Sequence, residues 1–194
     1  MVGEYDRGLL ARPAVSGHLC ATKLIYRTMT MATPTGYSKT QIALHWVMAL
    51  FLLGQVIQGE DMAHFYDDLE RGVADATSAW PVMVWAHIII GIAVLALVVW
   101  RLVLRFSRGV PAEAEGATWQ MWLAKIVHLV LYAVMIVAPI TGLLVWFGGV
   151  ESLGDIHELA KPIVIVAFVL HFAGVLYHQF VAKDGLLKRM MKAG

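Results

Sequence analysis

Four long runs of the chain contain no Asp, Glu, Lys or Arg: residues 40–59, 76–100, 126–150 and 162–182. A helix needs about 20 apolar residues to cross the hydrocarbon core of a bilayer, so each run is long enough to span it. Inside lipid, the backbone satisfies its own hydrogen bonds only as a helix or a closed barrel. The sequence therefore predicts an all-α fold, an integral membrane four-helix bundle. The predicted spans are about 40–59, 78–104, 120–147 and 158–182.

Composition excludes several other classes of protein. Hydrophobic residues make up 59% of the chain and charged residues 15%, whereas a soluble domain carries about 25% charged residues. The net charge of +1 leaves no basic excess to neutralise phosphates, so we do not expect nucleic-acid binding. The single cysteine, Cys20, cannot form an internal disulfide and matches no paired-cysteine metal motif.

The distribution of Lys and Arg predicts the orientation of the bundle. Residues 1–39, 101–125 and 183–194 hold 13 of the 15 basic residues, and the two alternate connections hold one each. The positive-inside rule places the basic segments in the cytoplasm, with both termini. The 60–75 connection, which is acidic, is then expected to be an outward-facing loop.

The first 36 residues fit no span. Pro13 and Gly17 interrupt any helix there, and no apolar core of signal-peptide length is present. Two interpretations remain open, a disordered cytoplasmic arm or a true translation start at Met31. The transmembrane domain is assigned to residues 37–192.

Histidines are the informative polar residues of the spans. Two of the eight, His18 and His64, are predicted to lie in loops. A lone intramembrane histidine usually forms a hydrogen bond across a helix interface. However, four-helix bundles also build cofactor sites from inward-facing side chains, and two imidazoles can ligate a b-type haem iron. Six histidines lie in the spans or at their ends: His45, His87, His128, His157, His171 and His178.

The spacing of these histidines predicts two levels of ligands. His157 and His171 are 14 residues apart on the last helix, so they share a face and lie roughly 21 Å apart along the axis. By depth, His87 matches His157, and His45 matches His171. His178 lies within about 20° of the same face and roughly 10 Å deeper, so it remains a close alternative to His171 as the partner of His45.

Five segments, in this order, resemble bacterial cytochrome b561: YSKTQIALHW, AHIIIGIAVLALVVWRLVLR, IVHLVLYAVMIVAPITGLL, DIHELA and VLHFAGVLYHQFVAKDGLLKRMM. They also resemble the cytochrome b subunits of nickel–iron hydrogenases and formate dehydrogenases. The resemblance implies a multi-pass protein of the bacterial inner membrane that holds two non-covalent haem b groups (iron protoporphyrin IX). The axial ligands that it implies are His45, His87, His157 and His171, which favours His171 over His178.

Further polar residues are candidates for contacts with haem propionates or quinone. They are Tyr37, Arg101, Arg105, Lys125, His128 and His178. The arginines also fit the simpler role of anchors that extend to lipid headgroups. His128 and His178 are suited to supply protons to a quinone, because the pKa of imidazole lies near neutrality. No catalytic residue is predicted.

Three functional hypotheses follow. In the first, which the resemblance favours, the protein transfers electrons between an outer-side one-electron donor, such as superoxide, and the quinone pool. It would then be a superoxide:quinone oxidoreductase. In the second, it is a cytochrome b anchor that links quinone to a partner dehydrogenase or respiratory complex. In the third, it is a non-redox membrane scaffold whose histidines only pack.

Overall fold

The computed structural model describes residues 34–73, 82–112 and 117–194 of the chain. These residues contain no β-strand and form four long helices. A 3-10 turn (Glu151–Leu153) precedes the fourth helix, and a π-helical turn (His178–Ala182) with a short helix α5 (Leu186–Arg189) follows it. The long helices are α1 (Lys39–Glu70), α2 (Val82–Arg108), α3 (Thr118–Gly148) and α4 (Gly154–Tyr177).

All four long helices have the length and apolar composition needed to cross a membrane. Few of their side chains are buried, and large apolar residues such as Leu50, Ile89 and Leu129 are at least 60% exposed. A water-soluble bundle would not expose such a surface, whereas lipid chains cover it in a bilayer. The prediction of an all-α membrane bundle is confirmed. Within the described ranges, the buried apolar side chains are Leu44, Met48, Val84, Ile88, Val94, Val98, Val127, Val164 and Ala167.

The first helix begins with a capping box. The Ser38 hydroxyl accepts a hydrogen bond from the Gln41 N–H at 3.2 Å, and the Gln41 side chain accepts one from the Ser38 N–H at 3.0 Å. This reciprocal pair satisfies backbone donors that a helix start leaves free. The Gln41 amide also donates to the Gly109 carbonyl at 3.1 Å, so α1 begins beside the end of α2. We call this end of the bundle, with Ser38 and Gly109, the inner end, and the end with Glu70 and Gly148 the outer end.

The first helix is longer than the charge pattern indicates. Residues 60–70 continue α1, so the prediction of a loop that starts at residue 60 is wrong, and His64 lies in a helix. The segment contains no Gly or Pro between Glu60 and Glu70, and an i,i+4 ion pair between Asp67 and Arg71 supports its last turn. The onset of charge therefore marks the edge of the apolar layer and not the end of the helix.

Several predictions fall on residues that the structure does not describe. The N-terminal arm and the start at Met31 lie almost entirely in residues 1–33, which are outside the described part. The expected beginning of the second span, at residue 78, lies in the undescribed range 74–81.

A short turn joins the last two long helices. Gly149 ends α3 in the left-handed conformation (φ 66°), which glycine adopts without strain. The Val150 N–H then donates to the Leu144 carbonyl at 3.1 Å, and the 3-10 turn leads directly into α4. Because the connection is so short, the first turn of α4 is held against the last turns of α3.

Candidate functional site

Two pairs of imidazoles lie inside the bundle. His87 on α2 faces His157 on α4, with ring centroids 6.1 Å apart and an interplanar angle of 79°. His45 on α1 faces His171 on α4, also with centroids 6.1 Å apart, at 60°. The structure thus brings together the same histidines that the depth argument matched. The first pair is nearer the outer end and the second nearer the inner end.

The outer pair borders a cavity of about 380 Å³. Its walls are mainly apolar, so water has few polar groups to bind there. On one side, the Gln55 amide donates to the His87 carbonyl at 3.0 Å and fixes α1 against α2. Apolar side chains from all four long helices line the cavity, among them Leu52, Val56, Ile88, Val134, Leu143 and Val164.

Hydrogen bonding sets the tautomer of His157. Its Nδ1 lies 2.8 Å from the Ala138 carbonyl oxygen on α3. A carbonyl oxygen only accepts, so Nδ1 carries a hydrogen, and in the neutral tautomer Nε2 keeps its lone pair. His87 differs, because its Nδ1 is buried and has no hydrogen-bond partner within the described residues.

The inner pair lies beside a partly buried arginine that connects three helices. Arg101 on α2 donates to the Gln41 carbonyl on α1 at 2.9 Å and to the Tyr132 hydroxyl on α3 at 3.0 Å. A third guanidinium nitrogen lies 3.4 Å from His45 Nδ1. Arg101 was predicted as a propionate or quinone contact, and the structure places it next to the His45 ring.

Comparison with known protein families gives the chain its class. The family model for prokaryotic cytochrome b561 matches residues 36–193. The chain belongs to this family. It is therefore a multi-pass bacterial membrane cytochrome b that takes part in electron transfer, and its family implies haem b.

Three relatives have similar lengths and sequences. The "Cytochrome b562" of Cereibacter sphaeroides is 35% identical over 162 residues, which cover 84% of this chain and 99% of the relative. The "Cytochrome b561 homolog 1" of Escherichia coli is 26% identical, and the match covers 80% of this chain and 96% of the relative. The "Probable superoxide oxidase CybB" of Yersinia pestis is 27% identical, and the match covers 80% of this chain and 95% of the relative.

The residues of the cytochrome fit a haem group. Two imidazoles that held one metal ion, each through a nitrogen about 2 Å from it, would have their ring centres about 6 Å apart. Both pairs show 6.1 Å. The outer cavity, at about 380 Å³, is within the size range of ligand sites, and the glycines Gly91 and Gly142 line it without side chains.

A third imidazole approaches the inner pair of the cytochrome. His128 on α3 has its ring centroid 5.1 Å from that of His171 and donates from Nδ1 to the Ala124 carbonyl at 2.7 Å. In the neutral form of this tautomer, Nε2 keeps a lone pair. Of His171 and His178, the two candidate partners of His45, the structure places His171 opposite His45, and it also brings His128 to His171. The signal for this was available, because His128 lies in the inner half of the third span.

His178 has a different partner. It begins the π-helical turn after α4, and its Nδ1–H donates a hydrogen bond to the Asp184 carboxylate. Partial burial by itself raises the pKa of Asp184, but hydrogen bonds from the Leu186 N–H and from His178 outweigh this effect and hold the pKa below its usual value. His178 and Asp184 thus stabilise the turn that follows the last span.

The remaining predicted contacts, Tyr37, Arg105 and Lys125, lie toward the inner end of the bundle. The Tyr37 carbonyl accepts from the Gly194 N–H at 3.4 Å, and Arg105 is exposed near the end of α2. Lys125 lies 5.7 Å from the Trp122 ring centroid. Sequence reasoning missed Gln41, Gln55 and Tyr132, although two glutamines inside a charge-free span were a visible signal.

Proposed function

We propose that this cytochrome holds two haem b groups, one between His87 and His157 and one between His45 and His171. We further propose that it passes electrons between a one-electron donor on the outer side and the quinone pool. The observation that carries the proposal is the equal separation of the two pairs, 6.1 Å between ring centroids, at two depths of one bundle. The 14 residues between His157 and His171 correspond to about 21 Å along α4, enough to place one group near each membrane surface.

The protein's own residues would bind, orient and insulate these groups. Haem iron, when bound, supplies the one-electron chemistry, and axial ligation and burial tune its potential. The Ala138 carbonyl orients His157, and the mainly apolar cavity wall offers water few partners beside the outer pair. Arg101 holds α1, α2 and α3 together beside His45. In this proposal, the membrane domain comprises residues 37–192, and both termini lie in the cytoplasm.

Two arguments support the choice of donor and acceptor. A quinone dissolves in the bilayer, so it can reach the exposed surface of the helices from the lipid side. The name of one relative, "Probable superoxide oxidase CybB", supports superoxide as the outer donor.

The stoichiometry and ligands are tested by spectroscopy of the purified cytochrome. We expect two haems per chain, extractable with acid–acetone, because the chain has no paired cysteines that could attach haem covalently. Replacing His87 or His157 with Ala should remove one haem, and replacing His45 or His171 should remove the other. A ratio of one haem per chain in the unmodified protein would contradict the proposal.

The direction of electron flow is tested by stopped-flow absorbance at the haem α band. Enzymatically generated superoxide should reduce the haems, and added quinone should reoxidise them. Catalase and superoxide dismutase are the controls, since the dismutase should abolish the reduction.

A cytochrome b anchor for a partner dehydrogenase is the second candidate. The outer end favours it, because exposed carboxylates there repel a small anion such as superoxide. These carboxylates include Asp61, Asp68, Glu70, Glu151, Asp155 and Glu158. Reaction with quinol but not with superoxide would favour the anchor. Reaction with neither would contradict both candidates.

A further inference from the structure

The outer pair contains a close contact that only glycine permits. A Cβ atom built on Gly142 of α3 would lie 2.8 Å from Cε1 and 3.0 Å from Nδ1 of His157. Real Cβ atoms essentially never come closer than 3.0 Å to another heavy atom, so a side chain at this position would displace the imidazole. The imidazole of His157 therefore lies directly on the surface of α3.

The same turn of α3 supplies the hydrogen bond that orients the ring. Ala138 and Gly142 are four residues apart, so they lie one above the other on one face of the helix. The Ala138 carbonyl accepts from His157 Nδ1 at 2.8 Å while Gly142 leaves space for the ring. The short connection after Gly149 fixes the first turn of α4, so His157 cannot retreat without loss of this bond.

Neighbouring glycines do not share this arrangement. For a Cβ on Gly148, six residues further along the same helix, the three nearest atoms would belong to the side chains of Leu144 and Val150, none nearer than 3.7 Å. On Gly91, which also lines the outer cavity, the nearest atom would be the Gln55 side-chain oxygen at 3.6 Å. Both are ordinary contacts, so the close approach to an imidazole is specific to Gly142 among these three.

The two histidine pairs also differ in the polar group that lies against an Nδ1 atom of each pair. At the inner pair, His45 Nδ1 faces a guanidinium of Arg101, which can only donate. At the outer pair, His157 Nδ1 donates to a backbone carbonyl. A hydrogen bond from the distal nitrogen to an acceptor makes an imidazole a more basic metal ligand. A more basic ligand stabilises the oxidised metal and lowers its reduction potential.

From these contacts we propose that Gly142 is a positioning residue: it lets His157 lie against α3 and donate to Ala138, which sets the ligand strength and hence the potential of the outer haem. This inference rests on the proposed role of His157 as a haem ligand. Gly142 itself touches the ligand ring and takes no part in electron transfer.

The test compares Gly142→Ala with Gly148→Ala as a matched control on the same helix. Each purified holoprotein is examined by haem content, potentiometric titration and low-temperature electron paramagnetic resonance. In Gly142→Ala we expect one haem to show an upward shift of potential and a changed low-spin signal, or to be lost, while the other haem is unchanged. Gly148→Ala should match the unmodified protein in all three measurements.

A third variant separates failure of this inference from failure of the proposed function. If His157→Ala removes one haem but Gly142→Ala leaves both potentials and both signals unchanged, the positioning role is wrong and the ligand assignment stands. If His157→Ala retains both haems, the ligand assignment fails, and the positioning role fails with it.

The double variant Gly142→Ala/His157→Ala covers the case in which Gly142→Ala does not assemble. The added Cβ meets the imidazole, so removal of the ring should restore assembly and leave one haem, as in His157→Ala alone. Assembly of the double variant but not of Gly142→Ala would support the proposal. If neither assembles while His157→Ala does, Gly142 serves helix packing instead, and the proposal is overturned.

Discussion

Arg101 connects three of the four long helices at the inner end, and its replacement by leucine tests how far the inner pair depends on it. The change removes the hydrogen bonds to the Gln41 carbonyl and the Tyr132 hydroxyl, at 2.9 and 3.0 Å. The 3.4 Å approach to His45 Nδ1 is too long to add much. Leucine fills part of the volume but offers no donor to either oxygen.

The expected loss in the free energy of unfolding of Arg101→Leu lies between two reference values. Hydrogen bonds to charged groups contribute about 1.5–3 kcal/mol each, whereas hydrogen bonds between helices in a membrane average about 0.6 kcal/mol. Because Arg101→Leu removes two such bonds and leaves the Tyr132 hydroxyl without its donor, we expect a loss of about 2–3 kcal/mol in the free energy of unfolding.

The assay is reversible unfolding in mixed micelles, followed by the Soret absorbance of the inner haem and by helical circular dichroism. Arg105→Leu is the matched control, since Arg105 is exposed one turn further along α2. Its effect should stay within about 0.5 kcal/mol. Equal losses in the two variants would show that Arg101 acts only as a general positive charge, which would refute the reasoning.

Three further predictions concern the inner end. His128→Ala and His178→Ala should each leave both haems in place, as measured by pyridine haemochrome; loss of a haem in either would contradict the ligand set. Asp184 has a lowered pKa, so it contributes stability above its ordinary value of 3.8, and this contribution is lost as pH falls through the lower folded-state value. Asp184→Asn should therefore reduce the melting temperature at neutral pH and make the melting temperature fall less as the pH is lowered into the acid range; an unchanged acid profile would count against the hydrogen bonds from the Leu186 N–H and His178. Trp46→Phe removes the 2.9 Å hydrogen bond to the Met190 carbonyl, worth about 0.5–1.5 kcal/mol, and should speed tryptic cleavage of the C-terminal segment, whereas Trp122→Phe should not.

The sequence alone determined those features that depend on composition and on the geometry of a single helix. Charge-free runs indicated four membrane helices because lipid excludes unpaired charge and leaves the backbone little choice but helix. The spacing of His157 and His171 indicated two levels because rise and rotation per residue are constant within one helix. Family resemblance, carried by ordered motifs, supplied the cytochrome class that the family match shows.

Only the tertiary structure decided which groups meet across helices. His171 rather than His178 faces His45, and His128 also approaches His171, because contacts between helices depend on their relative rotation and depth. The π-helical turn after Tyr177 directs His178 toward Asp184. The fit of His157 against Gly142 likewise depends on the approach of α3 to α4, which no spacing within either helix specifies. Local periodicity defines the face of a helix, whereas packing between helices defines the neighbour of each side chain.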